Sequence, residues 1–401
     1  MREVVIVDAV RTPIGRYKGA FKDVRPDDLG AIVIKQLLKR NENVQPELID
    51  DVIFGNANGA GEENRNVARM SLLLAGLPKS VSGTTVNRLC GSGLDAVNYA
   101  ARSILSGELD VVIAGGTESM TRAPYVLGKA ETDFQRGNIE LQDTTIGWRF
   151  VNPKLDEMYG THSMPETSDN VAKRYEISRE EQDNFAQKSQ EKAKKAQLNN
   201  LFKDEIVPVV IEKRKKGKVT ITEDEHPRHD SSLEKLAKLN PLFQEGTVTA
   251  GNASGVNDGA SALLMMSSEK AKVLGLKPFV KYIYSATAGV EPSFMGIGPV
   301  YATQKLMDRT GLSIEDFDLI ELNEAFASQS LACIRKLNID ENRVNVNGGA
   351  IALGHPLGAS GARILTTLIH EMKRRGANRG LASMCIGVGQ GIATAIELID
   401  K

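Results

Sequence analysis

Residues 87 to 96 of this chain read Asn87-Arg88-Leu89-Cys90-Gly91-Ser92-Gly93-Leu94-Asp95-Ala96. Cys90 stands before two glycines and an apolar, helix-forming run, so we expect its sulfur to lie at a helix N-terminus. Backbone N–H groups at such a position favour the thiolate, and the glycines let a ligand approach the backbone closely. The stretch predicts a nucleophilic cysteine, and a small residue buried in a strand-to-helix turn is the alternative.

Strand-like and helix-like segments alternate on both sides of this stretch. Apolar runs at 4–7, 51–55 and 110–116 are typical of buried strands, and 28–39 and 66–75 have a helical period. This alternation predicts an α/β protein whose sheet is mostly parallel and covered on both faces. Between about 121 and 249 the apolar runs thin out and charge rises, which indicates an insertion lying over the sheet domains.

The second half of the chain repeats the plan of the first. A glycine-rich turn with His355 leads into an apolar helix and then into a strand at 380–385, just as the Cys90 turn leads into a helix and the strand at 110–114. This repeat predicts two similar domains, 1–269 with the insertion and 277–401. Equivalent loops of such domains meet at their interface, so we expect Cys90 and His355 to lie together there.

Two further positions could carry chemistry. Cys385 ends a buried strand before Gly387 and Gly389, where free N–H groups would favour its thiolate, so it is either a second reactive thiol or a packed cysteine. Asn323 follows the strand at 318–322 and precedes a helix expected at 324–337. It is either the N-cap of that helix or an amide that orients a water or a reacting oxygen.

Composition excludes several classes of function. The 401 residues include 50 basic and 51 acidic side chains, so no net charge favours nucleic acid or an anionic membrane surface as a partner. The basic run at 213–218 is typical of a solvated hairpin tip. No apolar run approaches the about 20 residues of a membrane span, and the start of the chain does not read as a signal peptide. Three cysteines without metal-ligand spacing indicate a reducing cytoplasm and predict no metal site.

Four motifs in this order and spacing resemble those of the thiolases, the acetyl-CoA C-acyltransferases. The resemblance covers nearly the whole chain and includes the stretch from 247 to 255. The four motifs are Asn87-Arg88-Leu89-Cys90-Gly91-Ser92-Gly93, Asn323-Glu324-Ala325-Phe326, Gly354-His355-Pro356-x-Gly358-x-Ser360-Gly361 and Cys385-x-Gly387-x-Gly389.

The resemblance implies a role for each of these groups. Cys90 would take the acyl group as a thioester, and His355 would activate it and later help to polarise the second thioester carbonyl. Cys385 would move the proton to or from the α-carbon of acetyl-CoA. Asn323 would hold a water that stabilises the enolate oxygen together with His355. The backbone N–H groups of Cys90 and Gly387 would form the other oxyanion hole, and ping-pong kinetics would follow.

The resemblance also implies the fold and the substrate tunnel. The fold would be a five-layer α-β-α-β-α arrangement of two duplicated domains with a loop domain, assembled as a dimer or tetramer. Coenzyme A and acyl-CoA would be substrates, and no cofactor would be bound permanently. The residues implied to line the coenzyme A tunnel are Arg228, Phe243, Ala250, Ser254, Met295 and Phe326, with Met164 over the pantetheine and acyl group.

Two departures from the family pattern bear on the substrate. Val388 stands where many members have a glycine, and Ser163-Met164-Pro165 stands where short-chain biosynthetic members have His-Met-Gly. Together with the stretches 62–69 and 144–150, this variant is similar to the 3-oxoadipyl-CoA thiolases of aromatic degradation. Cleavage of 3-oxoacyl-CoA, or the reverse condensation, is the expected activity. Acetoacetyl-CoA and medium-chain substrates remain open, as do an HMG-type condensing enzyme and a non-catalytic acyl-CoA carrier.

Overall fold

The computed structural model describes residues 2–130, 132–134, 136–213 and 217–399. Its strands are β1 Val4–Arg11, β2 Gly15–Arg16, β3 Asp51–Gly55, β4 Ser82–Val86, β5 Val111–Ser119, β6 Tyr125–Val126, β7 Gln142–Asp143, β8 Val209–Lys213, β9 Gly217–Ile221, β10 Asn257–Ser267, β11 Val280–Gly289, β12 Leu319–Leu322, β13 Arg379–Ile386 and β14 Gln390–Leu398. Its α-helices are α1 Pro26–Arg40, α2 Val67–Ala75, α3 Ser92–Ser106, α4 Pro153–Tyr159, α5 Met164–Arg174, α6 Arg179–Leu198, α7 Leu233–Ala237, α8 Ser268–Val273, α9 Gly298–Thr310, α10 Ala327–Leu337, α11 Ala350–Leu353 and α12 Leu357–Arg375. None of the helices in these ranges is both long and apolar enough to cross a membrane.

Ten strands form one sheet in the order β12-β13-β14-β11-β1-β10-β5-β3-β4, with β2 beside β10. The pairs β3–β4, β3–β5 and β12–β13 are parallel. The pairs that include β10 or β14 are antiparallel, and so is the short pairing of β1 with β11. The expected mostly parallel sheet is therefore wrong, because β10 and β14 return antiparallel to the strands that precede them along the sheet.

Helices cover this sheet in three layers, which confirms the predicted five-layer α-β-α-β-α fold. On the outer side of the first half, α1 and α2 pack against β1, β3, β5 and β10 in one apolar core. The helices α3 and α12 form the central layer and share a second core with strands of both halves. On the far side, α9 and α10 pack against β12, β13 and β14 in a third core.

The two halves repeat one another strand by strand. The sequence β3, β5, β10, β1 of the first half corresponds to β12, β13, β14, β11 of the second, with the same parallel and antiparallel pairings. The edge strand β4 corresponds to a single parallel bridge between Ile320 and Val344. The central helices α3 and α12 are then equivalent, which is the internal symmetry that the repeated turn, helix and strand predicted.

The described residues between 121 and 249 add no strand to the ten-stranded sheet. Their strands form two separate pairs, β6–β7 and β8–β9. Ser178 caps the N-terminus of α6 in a capping box, in which the Glu181 side chain accepts from the Ser178 N–H. The hairpin expected around the basic run is present as β8–β9, whereas its tip at 214–216 lies outside the described residues.

Candidate active site

The site lies where the parallel strands β3, β4 and β5 end. Cys90 follows β4, and the Asn87 side chain donates a hydrogen bond of 2.9 Å to the carbonyl of Ala57, just beyond β3. The His355 turn lies over the end of β5, because the Gly358 N–H donates to Glu118 at 2.8 Å. Carboxyl ends of parallel strands commonly form ligand sites, and here they position both predicted turns.

The two turns touch because glycines let the central helices approach each other. A Cβ atom on Gly93 would lie 2.6 Å from the carbonyl oxygen of Gly358, and one on Gly361 would lie 2.3 Å from the backbone nitrogen of Leu94. No side chain fits at either position without displacing backbone. The N-termini of α3 and α12 therefore pack backbone to backbone, with the Cys90 and His355 turns on the same side.

Cys90 is half-buried beside the end of β13. The backbone N–H groups of Gly387 and of Cys90 itself lie close enough to its sulfur to favour the ionised form. Burial nevertheless raises the pKa of the Cys90 thiol to about 11, and this effect exceeds that of the N–H groups. The expectation that the helix N-terminus makes Cys90 a thiolate is therefore wrong, and the resting group is a neutral thiol.

Cys385 is the second-last residue of β13 and is buried near Cys90. Burial and then the neighbouring Cys90 sulfur raise its pKa well above the ordinary range of a thiol. The expected thiolate at Cys385 is also wrong for the same reason. A neutral thiol can donate a proton to carbon, and once ionised it is a strong base because its surroundings disfavour the charge.

His355 is buried, and two hydrogen bonds set its position. Its backbone N–H donates to the Asn257 side chain at 2.9 Å, and its Nδ1 lies 2.6 Å from the Ser360 hydroxyl. That hydroxyl donates its own proton to the Pro356 carbonyl at 2.8 Å, so it accepts from Nδ1–H. The lone pair of the ring therefore lies on Nε2, which is buried without a hydrogen-bond partner among the described residues.

Burial, and secondly the charge of Arg363, lower the pKa of His355 to about 3. The imidazole is neutral at any pH near 7, and Nε2 is free to accept a proton. The resting pair is a neutral thiol and a neutral imidazole rather than an ion pair. Such a pair reacts when the base takes the proton during attack by sulfur.

Asn323 is not a helix cap. The helix α10 begins at Ala327 with Phe326 as its N-cap, because the segment before it is extended and forms an antiparallel bridge between Phe326 and Ala253. The N-cap alternative and the predicted helix start at 324 are therefore wrong. Both polar atoms of the Asn323 amide are buried without a hydrogen-bond partner in the described part of the chain. Its backbone N–H donates to Ser383, so it lies beside the strand that carries Cys385.

Three of the expected tunnel residues pack with Cys385 in one apolar cluster. Met295 and Phe326 are buried in it, and Met164, the first residue of α5, packs against it from the insertion. Ser254 lies beside this cluster, since its N–H donates to the Ala325 carbonyl at 2.9 Å. Arg228, Phe243 and Ala250 are exposed.

Three residues that hold the site were not predicted. Glu118 accepts from the N–H groups of Ala57 and Gly358, each at 2.8 Å, and so ties the end of β3 to the His355 turn. Asn257 and Ser360 orient His355 as described above. Glu118 belongs to no recognisable sequence motif. A glutamate near the end of a buried strand is nevertheless uncommon, and this was the signal that could have indicated its role.

Val388 stands between Gly387 and Gly389 in the three-residue turn that joins β13 to β14. Its φ is +61°, in the left-handed region that β-branched residues rarely adopt. This conformation costs the valine about 1 to 2 kcal/mol of backbone strain. Gly387 keeps the orientation in which its N–H reaches Cys90.

Residues 4–269 match the family model described as "Thiolase, N-terminal domain", and residues 276–398 match "Thiolase, C-terminal domain". The chain is 58% identical to the beta-ketoadipyl-CoA thiolase of Pseudomonas knackmussii, over 99% of this chain and all of that protein. It is also 58% identical to the 3-oxoadipyl-CoA/3-oxo-5,6-dehydrosuberyl-CoA thiolase of Escherichia coli, over the full length of both. The crystal structure of the Bacillus anthracis acetyl-CoA acetyltransferase is 44% identical and superposes with a TM-score of 0.93, covering 100% of this chain and 99% of that one.

Proposed function

This chain belongs to the thiolase family, and from that membership we propose which acyl-CoA it cleaves and how its side chains carry the reaction. It is an acyltransferase that uses coenzyme A to cleave a 3-oxoacyl-CoA into acetyl-CoA and a shortened acyl-CoA. The proposed substrate is 3-oxoadipyl-CoA, which would give acetyl-CoA and succinyl-CoA. Full-length identity of 58% to two thiolases named for this substrate is the observation that supports it.

In the first half-reaction, Nε2 of His355 takes the proton of Cys90 as the sulfur attacks the 3-oxo carbon. The resulting oxyanion is stabilised by the backbone N–H groups of Cys90 and Gly387. The bond between C2 and C3 then breaks, and its electrons form the enolate of acetyl-CoA. Cys385 gives its proton to C2, which releases acetyl-CoA and leaves the acyl group on Cys90.

The enolate oxygen needs donors of its own, because it develops on a different carbonyl. We assign this role to the protonated His355 Nε2 and to a water held by Asn323. Both side chains are buried with polar atoms that no described residue satisfies, and an unpaired buried amide is costly unless a ligand uses it. These unpaired atoms support two separate oxyanion sites in one pocket.

In the second half-reaction, the Cys385 thiolate takes the proton of the coenzyme A thiol. The coenzyme A sulfur attacks the acyl-Cys90 carbonyl, and the Cys90 sulfur leaves with the proton of His355. Each group returns to its resting protonation state, so no metal or redox partner enters the balance. Val388 does not remove the Gly387 donor on which both half-reactions depend.

We also propose that the enzyme acts in the cytoplasm as a homo-oligomer, a dimer or a tetramer. Between residues 125 and 159, eight large apolar side chains are each more than half exposed, and such surfaces mark protein contacts. They are Tyr125, Leu127, Phe134, Ile139, Leu141, Ile146, Phe150 and Met158. Light scattering coupled to gel filtration would give the mass, and a monomer would contradict the proposal.

The substrate is tested by coenzyme A-dependent cleavage of 3-oxoadipyl-CoA, 3-oxooctanoyl-CoA and acetoacetyl-CoA. We expect the highest kcat/KM for 3-oxoadipyl-CoA and a succinyl group on Cys90 by mass spectrometry. A preference for acetoacetyl-CoA would identify a biosynthetic acetyltransferase instead. Absence of any acyl group on Cys90 would identify a carrier rather than an enzyme.

A further inference from the structure

We propose that Arg149 binds the distal carboxylate of a dicarboxylic 3-oxoacyl chain and so selects such chains over neutral ones of equal length. The proposal rests on the proposed function, since it concerns the acyl end of the same substrate. It assigns a specificity-determining residue to the insertion, whereas Cys90, His355, Cys385 and Asn323 all lie on the sheet domains.

Contacts on one side link Arg149 to the segment 162–164, which lies beside the Cys90 site. The neighbouring Trp148 donates from Nε1 to the His162 carbonyl at 3.1 Å, and His162 directly precedes Ser163 and Met164. A Cβ atom on Gly387 would lie 3.6 Å from the Met164 sulfur, so the segment 162–164 reaches the turn that contacts Cys90. The hydrogen bond of Trp148 thus attaches the segment that carries Arg149 to the segment that carries Met164.

Contacts on the other side link Arg149 to the ends of the parallel strands. Its Nη2 lies 3.4 Å from the Asn58 amide oxygen, and the Asn58 N–H donates to Glu118. Asn58 follows Ala57, whose carbonyl accepts from Asn87 three residues before Cys90. Arg149 therefore lies between the segment 57–58, which contacts the Cys90 turn, and the segment 162–164.

The backbone around Arg149 is bent at both ends. Gly147 has φ +85°, and Phe150 has φ +51°, a conformation that an aromatic residue seldom adopts. A side chain held by unusual backbone on one side and a tryptophan on the other is positioned rather than free. Such geometry commonly occurs at ligand sites.

The charge of Arg149 has no partner in the described part of the chain, where it forms no ion pair and only one long hydrogen bond. Two other half-buried arginines do have a carboxylate partner. Arg88 contacts the Asp95 carboxylate at 2.6 Å, and Arg122 contacts the Glu62 carboxylate at 2.6 Å. A half-buried guanidinium without a carboxylate is suited to receive one from a ligand, and its planar fork can bind both oxygens.

The chemistry of the substrate fits this arrangement. After cleavage of 3-oxoadipyl-CoA, the acyl group on Cys90 is succinyl, with its free carboxylate two methylene groups beyond the thioester. A carboxylate in a half-buried pocket loses hydration and needs a charged donor in return. A site that supplies such a donor discriminates strongly against a chain that ends in a methyl group, because the donor is then left unpaired.

The test compares 3-oxoadipyl-CoA with 3-oxohexanoyl-CoA, which has the same chain length and a methyl end. We expect R149M to lower kcat/KM for 3-oxoadipyl-CoA about 10- to 100-fold, the usual effect of losing a hydrogen bond to a charged group, and mainly through KM. The value for 3-oxohexanoyl-CoA should change less than about threefold. R149Q should behave like R149M, and R149K should recover part of the loss.

R136M is the matched control, because Arg136 is an exposed arginine of the same insertion and its loss changes the net charge equally. It should leave the ratio of the two substrates unchanged. Equal losses on both substrates in R149M and R149Q would overturn the role of Arg149, as would a preference that survives both variants. A wild-type enzyme without the preference would refute the proposed substrate as well, although thiolase activity would still be measurable.

Discussion

At the scale of single residues, the site combines a thiol and an imidazole that are both neutral at rest. The hydrogen bond from His355 Nδ1 to Ser360 leaves Nε2 as the base, and burial keeps both partners uncharged. This differs from a preformed thiolate, which would also react with unrelated electrophiles that reach the site. Attack by Cys90 therefore requires a substrate positioned so that proton transfer and bond formation can proceed together.

The neutral pair predicts how Cys90 reacts with a small alkylating reagent. Because its pKa is raised to about 11, the thiolate fraction grows as pH rises and is small throughout the neutral range. The rate of alkylation by iodoacetamide should increase about 10-fold per pH unit between about pH 6 and about pH 9. Cys90→Ala, which removes the labelled position, is the control. A plateau reached below about pH 8 would instead indicate a thiolate paired with an imidazolium.

Cys385 should be separable from Cys90 by experiment. Cys385→Ala should still form the acyl-enzyme, because attack by Cys90 uses His355 as its base. Exchange of the α-protons of acetyl-CoA with deuterated solvent should fall about 100- to 10,000-fold, the usual contribution of a positioned acid or base. Exchange is measured by mass spectrometry, with Cys333→Ala as the control because that buried thiol lies in the far core. Undiminished exchange in Cys385→Ala would refute its assigned role.

At the scale of elements, the sequence predicted the turns better than the strands between them. The turns at Cys90 and His355 contain glycines that no other residue can replace, because the two backbones are in contact there. These glycines form a pattern that can be recognised in the sequence. The strand β10 was missed because its alanine, serine and methionine residues have weak strand preference, whereas β14 was missed although its two isoleucines and its threonine favour a strand. The direction of β10 depends on neighbours far away in the chain, whereas the three-residue turn 387–389 sets the antiparallel direction of β14.

The predicted helix at 324 failed for a similar reason. Asn323-Glu324-Ala325 is a good helix start locally, but the Ala325 carbonyl accepts from the Ser254 N–H and the Ala327 N–H donates to the Asn252 carbonyl instead. Pairing with a distant segment outweighed local preference and left the Asn323 side chain free of a capping role. The orientation of a predicted functional residue thus depended on contacts that spacing alone does not reveal.

Glu118 holds two of these elements together. In the described part of the chain its two oxygens accept from N–H donors alone, at Ala57, Asn58, Gly358 and the Asn56 side chain. In Glu118→Gln, either orientation of the amide turns an NH₂ group towards donors, which should cost about 1 to 3 kcal/mol. We expect a lower Tm and about 10-fold lower kcat/KM, since the His355 turn shifts. Glu108→Gln, at an exposed position, should change neither. Wild-type activity in Glu118→Gln would show that this tie does not position His355.

At the scale of the whole molecule, the insertion is fastened to the sheet by buried charge as well as by apolar contacts. Arg11 at the end of β1 is completely buried and contacts Glu205 at 2.6 Å and Asp224 at 2.7 Å. These carboxylates lie on either side of the β8–β9 hairpin, and Phe202 packs against the guanidinium. Since Met164 and Arg149 reach the site from the same insertion, its attachment bears on substrate binding.

Removal of Arg11 should therefore loosen the insertion without abolishing the sheet. Arg11→Met leaves two buried carboxylates without their cation, a change that costs about 3 to 5 kcal/mol. We expect a lower Tm, a higher KM, and cleavage by trypsin within 205–224 before the rest of the chain. The matched control is Arg16→Met, because Arg16 pairs with Glu225 in an exposed contact of 3.3 Å that contributes at most about 1 kcal/mol. Equal effects of the two variants on Tm and on the cleavage pattern would mean that apolar packing alone attaches the insertion, and that the buried ion pairs are incidental to it.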